Sequence, residues 1–388
     1  MITLAIDNFT GRGRPLPNGV SPELCANDDF TMVSPFLDYP RIFYYLKESN
    51  IDVTVKHTDE AREGAWYPVT VSWFDFTLDY LELLNPLVFK NNLKIVFFYQ
   101  EADNPQHIDK RIRELCDQHN YYNVAFVSGN SVADQYEYTW YWPEIEYMYQ
   151  RTVDFSKASL THFKRRSKHF MALCRIDKLW RKVFMANLWQ QGLHNRGYFS
   201  YCQENLGEQD DWDGVDLYNE FLSEQNQICK DFIKAGPFFV DDLTSEQRND
   251  YSVLMDDMYQ DSYFSYVMET FIDVDNSGGQ FIPEKTLKPI LHCQPFICLA
   301  EHNHLKHLRE LGYHTFDNIF DESYDDIQDT TQRFKAVQWL SEDLARIDLD
   351  TAHDMYTRCG DRLMENRVLL ENINGARLRK LATDLNAI

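Results

Sequence analysis

The first half of the chain alternates between short apolar runs and amphipathic stretches. Apolar runs of this length predict strands, and apolar residues that recur every three or four positions predict helices. The predicted strands are residues 3–9, 51–55, 70–76, 94–99 and 123–127, and the predicted helices are residues 34–49 and 107–119. Strands that alternate with helices predict right-handed βαβ units and a doubly wound parallel sheet.

The second half repeats this alternation and then becomes helical. Strands are predicted at residues 168–175, 200–202 and 295–299, and helices at residues 179–191, 282–291 and 303–311. Residues 262–271 fit either a strand or a helix, and almost all of the chain after residue 333 has a helical pattern. The predicted fold class is therefore α/β, with an N-terminal domain at 1–155, a second α/β domain at 156–342 and a helical C-terminal tail at 343–388.

The composition is that of a chain with a substantial packed core. Of the 388 residues, 44% are hydrophobic and 15% are aromatic, whereas disordered chains lack aromatic residues. No run approaches the ~18 uncharged apolar residues of a membrane span, and the N-terminus lacks the basic segment of a secretory signal. The eight cysteines are scattered and form no C-x-x-C pair, which indicates reduced thiols in a cytoplasmic protein.

Positive charge is concentrated in one segment of an acidic chain. The net charge is −23, yet residues 151–200 hold eleven Lys and Arg against two acidic residues, a net charge of +9 that leaves −32 on the remainder. An acidic chain repels nucleic acid and membranes, whereas a basic segment concentrates anions such as a nucleotide diphosphate or a phosphate backbone. A solvated face or a linker is the structural alternative for this segment.

The segment that begins at Gln280 carries the most specific chemistry. Pro283 suits the first position of a helix, and Lys285 would then lie in the first turn, where its charge opposes the helix dipole. A bound anion removes this conflict, because the backbone N–H groups of a helix start and a lysine together hold a diphosphate. Glu284 is placed to accept hydrogen bonds from ribose or sugar hydroxyls. An ordinary exposed helix start is the alternative.

These residues resemble the donor-binding motif of the α1,3-fucosyltransferase family, in which Glu-Lys precedes a short apolar strand that contains proline, here Gln294-Pro295-Phe296-Ile297. A longer run is similar to glycosyltransferase-like proteins of tailed phages. That run consists of Glu284-Lys285-Thr286, Lys288-Pro289-Ile290, Pro295-Phe296, Leu308-Arg309, Gly312-Tyr313, Thr315-Phe316-Asp317 and Asp321-Glu322-Ser323-Tyr324-Asp325. The resemblance implies a GT-B-like fold of two Rossmann-like α/β domains that face a cleft. Residues 1–155 would then bind the acceptor, and residues 156–342 a nucleotide-sugar donor.

The resemblance also implies roles for individual residues. Met171-Ala172-Leu173-Cys174-Arg175, followed by Arg181, is similar to the first strand and helix of the family's donor domain, in which the arginine contacts the diphosphate. The implied donor-binding residues are Arg175, Arg181, Glu284, Lys285 and Thr286. Glu101 or Asp103 matches the acidic base that follows a strand in the N-terminal domain. Arg12 and Arg14 are placed on the acceptor side.

The implied function is glycosyl transfer from a nucleotide-diphosphate sugar to an acceptor hydroxyl. A carboxylate deprotonates the acceptor, and Arg181 and Lys285 stabilise the leaving diphosphate. The resemblance implies that the reaction inverts the configuration at the anomeric carbon of the sugar. Because the cations neutralise the diphosphate, the reaction is expected to require neither a metal nor another cofactor. The phage likeness implies a hydroxymethylated base of phage DNA as acceptor, the host cytoplasm as location and residues 151–200 as a DNA-binding surface. A glycan or a small molecule is the alternative acceptor.

Other motifs indicate metal binding. Residues 273–284 satisfy positions 1, 3, 5, 6 and 12 of an EF-hand loop, so a calcium-binding or structural interaction protein is the alternative to an enzyme. Asp-x-Asp pairs at 211/213, 273/275 and 348/350 are expected by chance in so acidic a chain. Five histidines lie close together in sequence without zinc-site spacing, and we expect them to be solvated or capping residues: His292, His302, His304, His307 and His314.

Overall fold

The computed structural model describes residues 1–6, 9–10, 14–15, 46, 49–71, 86–99, 105–131, 133–142, 146, 153–157, 164–204, 221–244, 247, 253–272, 280–372 and 375–387. The chain divides into two compact units. Unit 1 comprises residues 1–145, 275–281 and 374–388, and unit 2 comprises residues 146–274 and 282–373. Within the described ranges, no helix is long and apolar enough to cross a membrane.

Unit 1 is built on a six-stranded parallel sheet. The strands of this unit are β1 (Ile2–Ile6), β2 (Phe9–Thr10), β3 (Arg14–Pro15), β4 (Val53–His57), β5 (Trp66–Val71), β6 (Lys94–Tyr99), β7 (Val124–Ser128) and β8 (Thr139–Tyr141). The sheet has the order β4-β1-β5-β6-β7-β8, and β2 and β3 form a separate antiparallel pair. Strands β6 and β7 are apolar and buried because parallel sheets are covered on both faces.

Two helices with described bounds in the first half of the chain pack against this sheet. They are α1 (Pro86–Lys90) and α2 (Pro105–His119). The apolar side of α2, with Ile108, Ile112 and Leu115, belongs to the same buried cluster as Phe97 of β6 and Phe126 of β7. Ile108 is followed by Ile112 and Leu115 at the four- and three-residue spacing of one helix face, so this contact follows directly from the sequence pattern.

Unit 2 is built on a four-stranded parallel sheet. Its strands are β9 (Lys168–Ile176), β10 (Tyr198–Glu204), β11 (Ser262–Met268) and β12 (Phe296–Leu299), in the order β10-β9-β11-β12. The chain passes from β9 to β10 on one side and returns to the other side of β9 with β11. The point between β9 and β11 is therefore the topological switch point, where open α/β sheets bind ligands outside the carboxyl ends of their strands.

Eight helices of the described chain belong to unit 2. They are α3 (Leu179–Gln190), α4 (Phe221–Ala235), α5 (Asp256–Asp261), α6 (Glu284–Leu291), α7 (His304–Glu310), α8 (Thr330–Arg346), α9 (Leu349–Arg358) and α10 (Gly360–Glu371). The last helix, α11 (Ala376–Ala387), belongs to unit 1. There the buried ammonium group of Lys94 donates a hydrogen bond to the carbonyl oxygen of Leu385.

The predicted α/β class is confirmed, with two parallel sheets and a helical C-terminal region. The ambiguous residues 262–271 contain strand β11. Strand β5 begins at Trp66, earlier than predicted. The prediction missed its first residues because Pro68 has no backbone N–H, and proline is rare in central strands. The short elements α1, α5 and β8 were not predicted. Most of the predicted helix at 34–49 and residues 72–76 of the predicted strand lie outside the described residues.

Candidate functional site

The carboxyl ends of β9 and β11 meet at the switch point of the unit 2 sheet. Strand β9 leads into α3, which has Lys178 as its N-cap residue, and β11 leads into residues 269–272, here called the β11 loop. The two strands pair in parallel, with Ser265 opposite Met171. Because parallel strands end at the same edge of a sheet, the start of α3 and the β11 loop are neighbours.

Two cations at the start of α3 donate hydrogen bonds to the backbone of the β11 loop. Arg181 is 4% exposed, and its Nη2 donates to the carbonyl oxygen of Glu269 at 2.6 Å. Lys178 is 7% exposed, and its Nζ donates to the carbonyl oxygen of Thr270 at 3.4 Å. A carbonyl oxygen accepts a hydrogen bond but carries no full charge, so these contacts hold both cations in place without neutralising them.

A third cation reaches the same loop from α6. Lys285 is the second residue of this helix, and its Nζ donates to Thr270 Oγ1 at 3.2 Å and to Glu284 Oε1 at 3.1 Å. Arg181 and Lys285, which are over a hundred positions apart in the sequence, thus contact adjacent residues of one loop. We call Lys178, Arg181 and Lys285 the cation cluster.

Two carboxyl groups next to the cation cluster differ in charge state. Glu269 is 2% exposed, and burial raises the pKa of its carboxyl to about 7 although the positive charge of Lys285 opposes the shift. For Glu284, burial is the largest single influence and raises the pKa, but the charges of Lys285 and Lys288 outweigh it and leave the pKa below its ordinary value. Glu284 is therefore ionised at neutral pH, whereas Glu269 is divided between its two forms.

The two oxygens of the Glu269 carboxyl have different surroundings. Oε1 accepts a hydrogen bond from the hydroxyl of Thr286, whereas Oε2 has no hydrogen-bond partner among the described residues. A buried polar atom without a partner carries a desolvation cost, which a ligand that hydrogen-bonds to it removes. A proton or a hydrogen-bond donor at Oε2 would therefore stabilise this carboxyl.

A buried histidine supports this arrangement. His304, the first residue of α7, is 2% exposed and has Nε2 3.4 Å from Thr286 Oγ1. Burial lowers the pKa of His304 to about 3, so the ring is neutral. The hydroxyl hydrogen of Thr286 is used by Glu269, so the network assigns the remaining imidazole hydrogen to Nε2. His304, Thr286 and Glu269 form a chain that fixes the position of the carboxyl.

The helices at the switch point begin differently from three other helices of unit 2. The first turns of α7, α8 and α9 are capped by carboxylates, those of Asp325, Asp329 and Asp348 respectively. The N-cap residues of α3 and α6 make no side-chain cap, as is also true of α5 and α10. The residues of the cation cluster lie at the starts of α3 and α6, and in the first turn of α6 the ionised Glu284 already pairs with Lys285. Cations are unfavourable at a helix N-terminus unless an anion is also present, so three cations beside one carboxylate suit these helix starts to a further anion.

Arg333 of α8 ties together the segments that follow β11 and β12. It is 2% exposed, and its guanidinium donates to four backbone carbonyl oxygens: those of Ile272, of Ala300 at 3.0 Å, of Ile327 at 2.7 Å and of Gln328 at 3.1 Å. Because Ile272 and Ala300 follow β11 and β12 at the carboxyl edge of the sheet, Arg333 helps to hold the β11 loop in the position that the cation cluster contacts.

The structure brings four of the implied donor-binding residues to one place: Arg181, Glu284, Lys285 and Thr286. The fifth, Arg175, lies in β9 one residue before its end and is partly exposed. Pro283 is the N-cap residue of α6 rather than its first helical residue, because its ψ of 174° is extended and the helix begins at Glu284.

The implied residues of the N-terminal domain are not in the described part of the chain. Glu101, Asp103 and Arg12 lie outside it, and for Arg14 the structure describes only its place in β3. Sheet order marks the carboxyl ends of β1 and β5 as the switch point of unit 1. Strand β6, which precedes both candidate bases in sequence, is the next strand after β5 in the sheet.

Sequence reasoning missed Glu269, Lys178, Arg333 and the role of His304. Glu269 directly follows an apolar run, and a firm strand prediction for residues 262–268 would have placed it at a strand end. The expectation of solvated or capping histidines is wrong for His304 and His307, which lie inside α7 and are 2% and 7% exposed. His292 is the C-cap residue of α6, although it is only 4% exposed. A histidine next to apolar neighbours in a helical pattern does not reveal from sequence which side of the helix it occupies.

The basic segment does not form a continuous exposed face within its described residues. Three of its cations, Arg166, Lys178 and Arg181, are buried. Lys164 and Arg165 are exposed, and Arg165 pairs with Asp350. Part of the +9 charge of residues 151–200 is therefore used inside unit 2, including two residues of the cation cluster.

The motifs for metal binding receive other roles where they are described. Residues 273–279 of the EF-hand pattern and the Asp-x-Asp pairs at 211/213 and 273/275 lie outside the described residues. Glu284, at the twelfth EF-hand position, pairs with Lys285. Asp348 caps α9 and Asp350 pairs with Arg165. Within the described ranges, no group of three or more His, Cys, Asp or Glu is arranged to hold a metal ion.

Comparison with known proteins gives similarity only at the level of structure. No family model and no curated protein matches the chain. One similar solved structure is described as trehalose-6-phosphate from E. coli bound with UDP-2-fluoro glucose, with 13% identity over 90% of this chain and 79% of that chain and a TM-score of 0.41. Another is the OtsA apo structure, with 12% identity over 94% and 81% of the two chains and a TM-score of 0.42.

Proposed function

We propose that the chain is a glycosyltransferase of the GT-B type and that the cation cluster binds the diphosphate of its nucleotide-sugar donor. The observation that carries the proposal is the meeting of Lys178, Arg181 and Lys285 at a switch point, at the starts of two helices whose N-cap residues make no side-chain cap. Helix starts and cations at this edge of a parallel sheet are the usual elements of a site for a nucleotide diphosphate.

The charges of the site suit a diphosphate that acts as the leaving group of the reaction. As the bond between the sugar and the diphosphate breaks, negative charge grows on the phosphate oxygens. Lys285, which is 32% exposed, can hydrogen-bond to the ligand, while the buried Arg181 adds its charge from a position fixed by the backbone carbonyl oxygen of Glu269. Cations fixed before the reaction stabilise this charge without a reorganisation cost. Glu284 is ionised and partly exposed, and it is suited to accept hydrogen bonds from ribose or sugar hydroxyls.

For the acceptor step we propose a carboxylate base, Glu101 or Asp103. A carboxylate that removes the hydroxyl proton as the oxygen attacks the anomeric carbon leads to inversion at that carbon. In this scheme the cation cluster neutralises the leaving group, so the proposed reaction proceeds without a divalent metal.

The proposed acceptor is a hydroxyl of a glycan or a small molecule, and a hydroxymethylated base of DNA is the alternative. The charge of residues 151–200 favours DNA, but the described cations of that segment are largely buried or paired. Duplex binding requires exposed cations along the phosphate backbone. One experiment distinguishes the two acceptors. The protein is incubated with hydroxymethylated DNA and nucleotide sugars, and the DNA is then digested to nucleosides for mass spectrometry. A mass gain of one sugar assigns DNA as the acceptor.

Calorimetric titration tests the donor proposal. UDP-, GDP-, ADP- and dTDP-sugars are titrated into the protein in EDTA, with calcium chloride titrated separately into metal-free protein. We expect one nucleotide sugar to bind in EDTA, and its hydrolysis or transfer to release the nucleoside diphosphate. Binding of calcium alone, with none of the nucleotide sugars bound, contradicts the proposal and favours the EF-hand alternative.

A further inference from the structure

Glu269 is the group next to the cation cluster that changes charge near neutral pH. The charged and titratable groups around it are Lys178 and Arg181 of α3, Glu284 and Lys285 of α6, Cys174 of β9, Cys298 of β12 and His304 of α7. Burial raises the pKa of both thiols, so they stay protonated. His304 stays neutral and Glu284 stays ionised.

A diphosphate diester bound at the cation cluster brings two negative charges close to Glu269. The positive charge of Lys285 favours the ionised form of Glu269, and an anion bound to Lys285 offsets part of that effect. A second negative charge beside an ionised, buried carboxylate is strongly unfavourable, since like charges at short range in a weakly polarisable interior repel.

Geometry identifies the atom that takes the proton. Oε1 of Glu269 is occupied by the hydroxyl of Thr286, and Oε2 has no hydrogen-bond partner in the described part of the chain. A proton on Oε2 turns this atom into a donor, and phosphate oxygens are acceptors. The same proton that removes the repulsion therefore supplies a hydrogen bond toward the ligand.

We propose that anion binding at the cation cluster is accompanied by the uptake of one proton from solvent on Oε2 of Glu269. The inference rests on the proposed function, because the anion it concerns is the donor diphosphate. The O–H bond forms at Oε2, no other bond changes, and the proton returns to solvent when the nucleoside diphosphate leaves. Donor affinity then falls as the pH rises above neutral, whereas a cluster without Glu269 keeps its affinity.

Calorimetry in buffers of different ionisation enthalpy measures this proton directly. The ligand is the nucleotide sugar that binds, because its diphosphate diester does not titrate near neutral pH. A carboxyl with a pKa of about 7 is roughly three quarters ionised at pH 7.5. At this pH we therefore expect the wild type to take up about 0.3 proton per ligand bound if the ligand raises the pKa by half a pH unit, and about 0.7 proton if Glu269 becomes fully protonated. Glu269→Gln is expected to take up none. Glu371→Gln, the control, removes a partly exposed carboxylate of α10 that pairs with Arg367, and it is expected to take up as many protons as the wild type.

Equal proton uptake by the wild type and Glu269→Gln, or none by the wild type, overturns the inference. If no nucleotide sugar binds, the proposed function is wrong. In that case a second measurement still tests the inference about Glu269. The infrared spectrum of Glu269→Gln is subtracted from that of the wild type, which leaves the carboxylic-acid band of Glu269. The intensity of this band is followed against pH in sulfate and in chloride at equal ionic strength. We expect sulfate, whose charge is fixed, to raise the midpoint by about half a pH unit or more. An unchanged midpoint contradicts the inference.

Discussion

Replacing Lys285 by alanine removes the most accessible charge of the cation cluster. A hydrogen bond between charged groups contributes about 1.5–3 kcal/mol, and the 32% exposure of the Lys285 side chain reduces this through solvent screening to about 1–2 kcal/mol. Since about 1.4 kcal/mol corresponds to a tenfold change, Lys285→Ala should raise the Kd for the nucleotide sugar about 5- to 30-fold. The loss should shrink in high salt, because the interaction is between charges near the surface.

Lys306→Ala is the matched control for this change. Lys306 is also a lysine in the first turn of a helix, α7, but there the backbone N–H of Lys306 is already bonded to the carboxylate of Asp325 at 2.9 Å. Calorimetric titration at low and high salt should show an unchanged Kd for Lys306→Ala. An equal loss of affinity in both variants, or none in Lys285→Ala, refutes the assignment of the anion site to α6.

Two further predictions concern Glu269 and the proposed acceptor base, Glu101 or Asp103. Glu269 binds its proton more tightly in the folded than in the unfolded chain, so from pH 4.5 to about 7 the free energy of unfolding falls as the pH rises. Urea denaturation at pH 5 and pH 8 should show that Glu269→Gln removes up to roughly 3 kcal/mol of this decline, and an equal decline in both proteins contradicts the assignment. Glu101→Gln or Asp103→Asn should leave the Kd for the donor unchanged and lower turnover about 10²- to 10⁴-fold in a product-release assay; normal turnover in both removes the base assignment.

The sequence predicted the parts of the fold that depend on local pattern. Strand β6 and helix α2 follow from an apolar run and from one apolar face, and the structure places them within two residues of the prediction. The switch point depends on which strands pair, and pairing between β9 and β11 joins residues about ninety positions apart. No local pattern encodes such a contact, so the order of the sheet was not predictable from one sequence.

The candidate site shows the same division between local and distant information. Lys285 was found because a lysine in the first turn of a helix is a local conflict that the sequence displays. Glu269 was missed because its significance lies in burial and in the hydroxyl of Thr286, which reaches it from another element. Arg333 was missed for a similar reason, since its carbonyl partners lie on segments that only the fold brings together.

A crystal structure of the protein with its nucleotide sugar tests the central claim most directly. The account predicts the diphosphate at the starts of α3 and α6, with a phosphate oxygen about 2.7–3.2 Å from Nζ of Lys285. A diphosphate bound elsewhere on the chain, with Lys285 still paired only with Glu284 and Thr270, contradicts it.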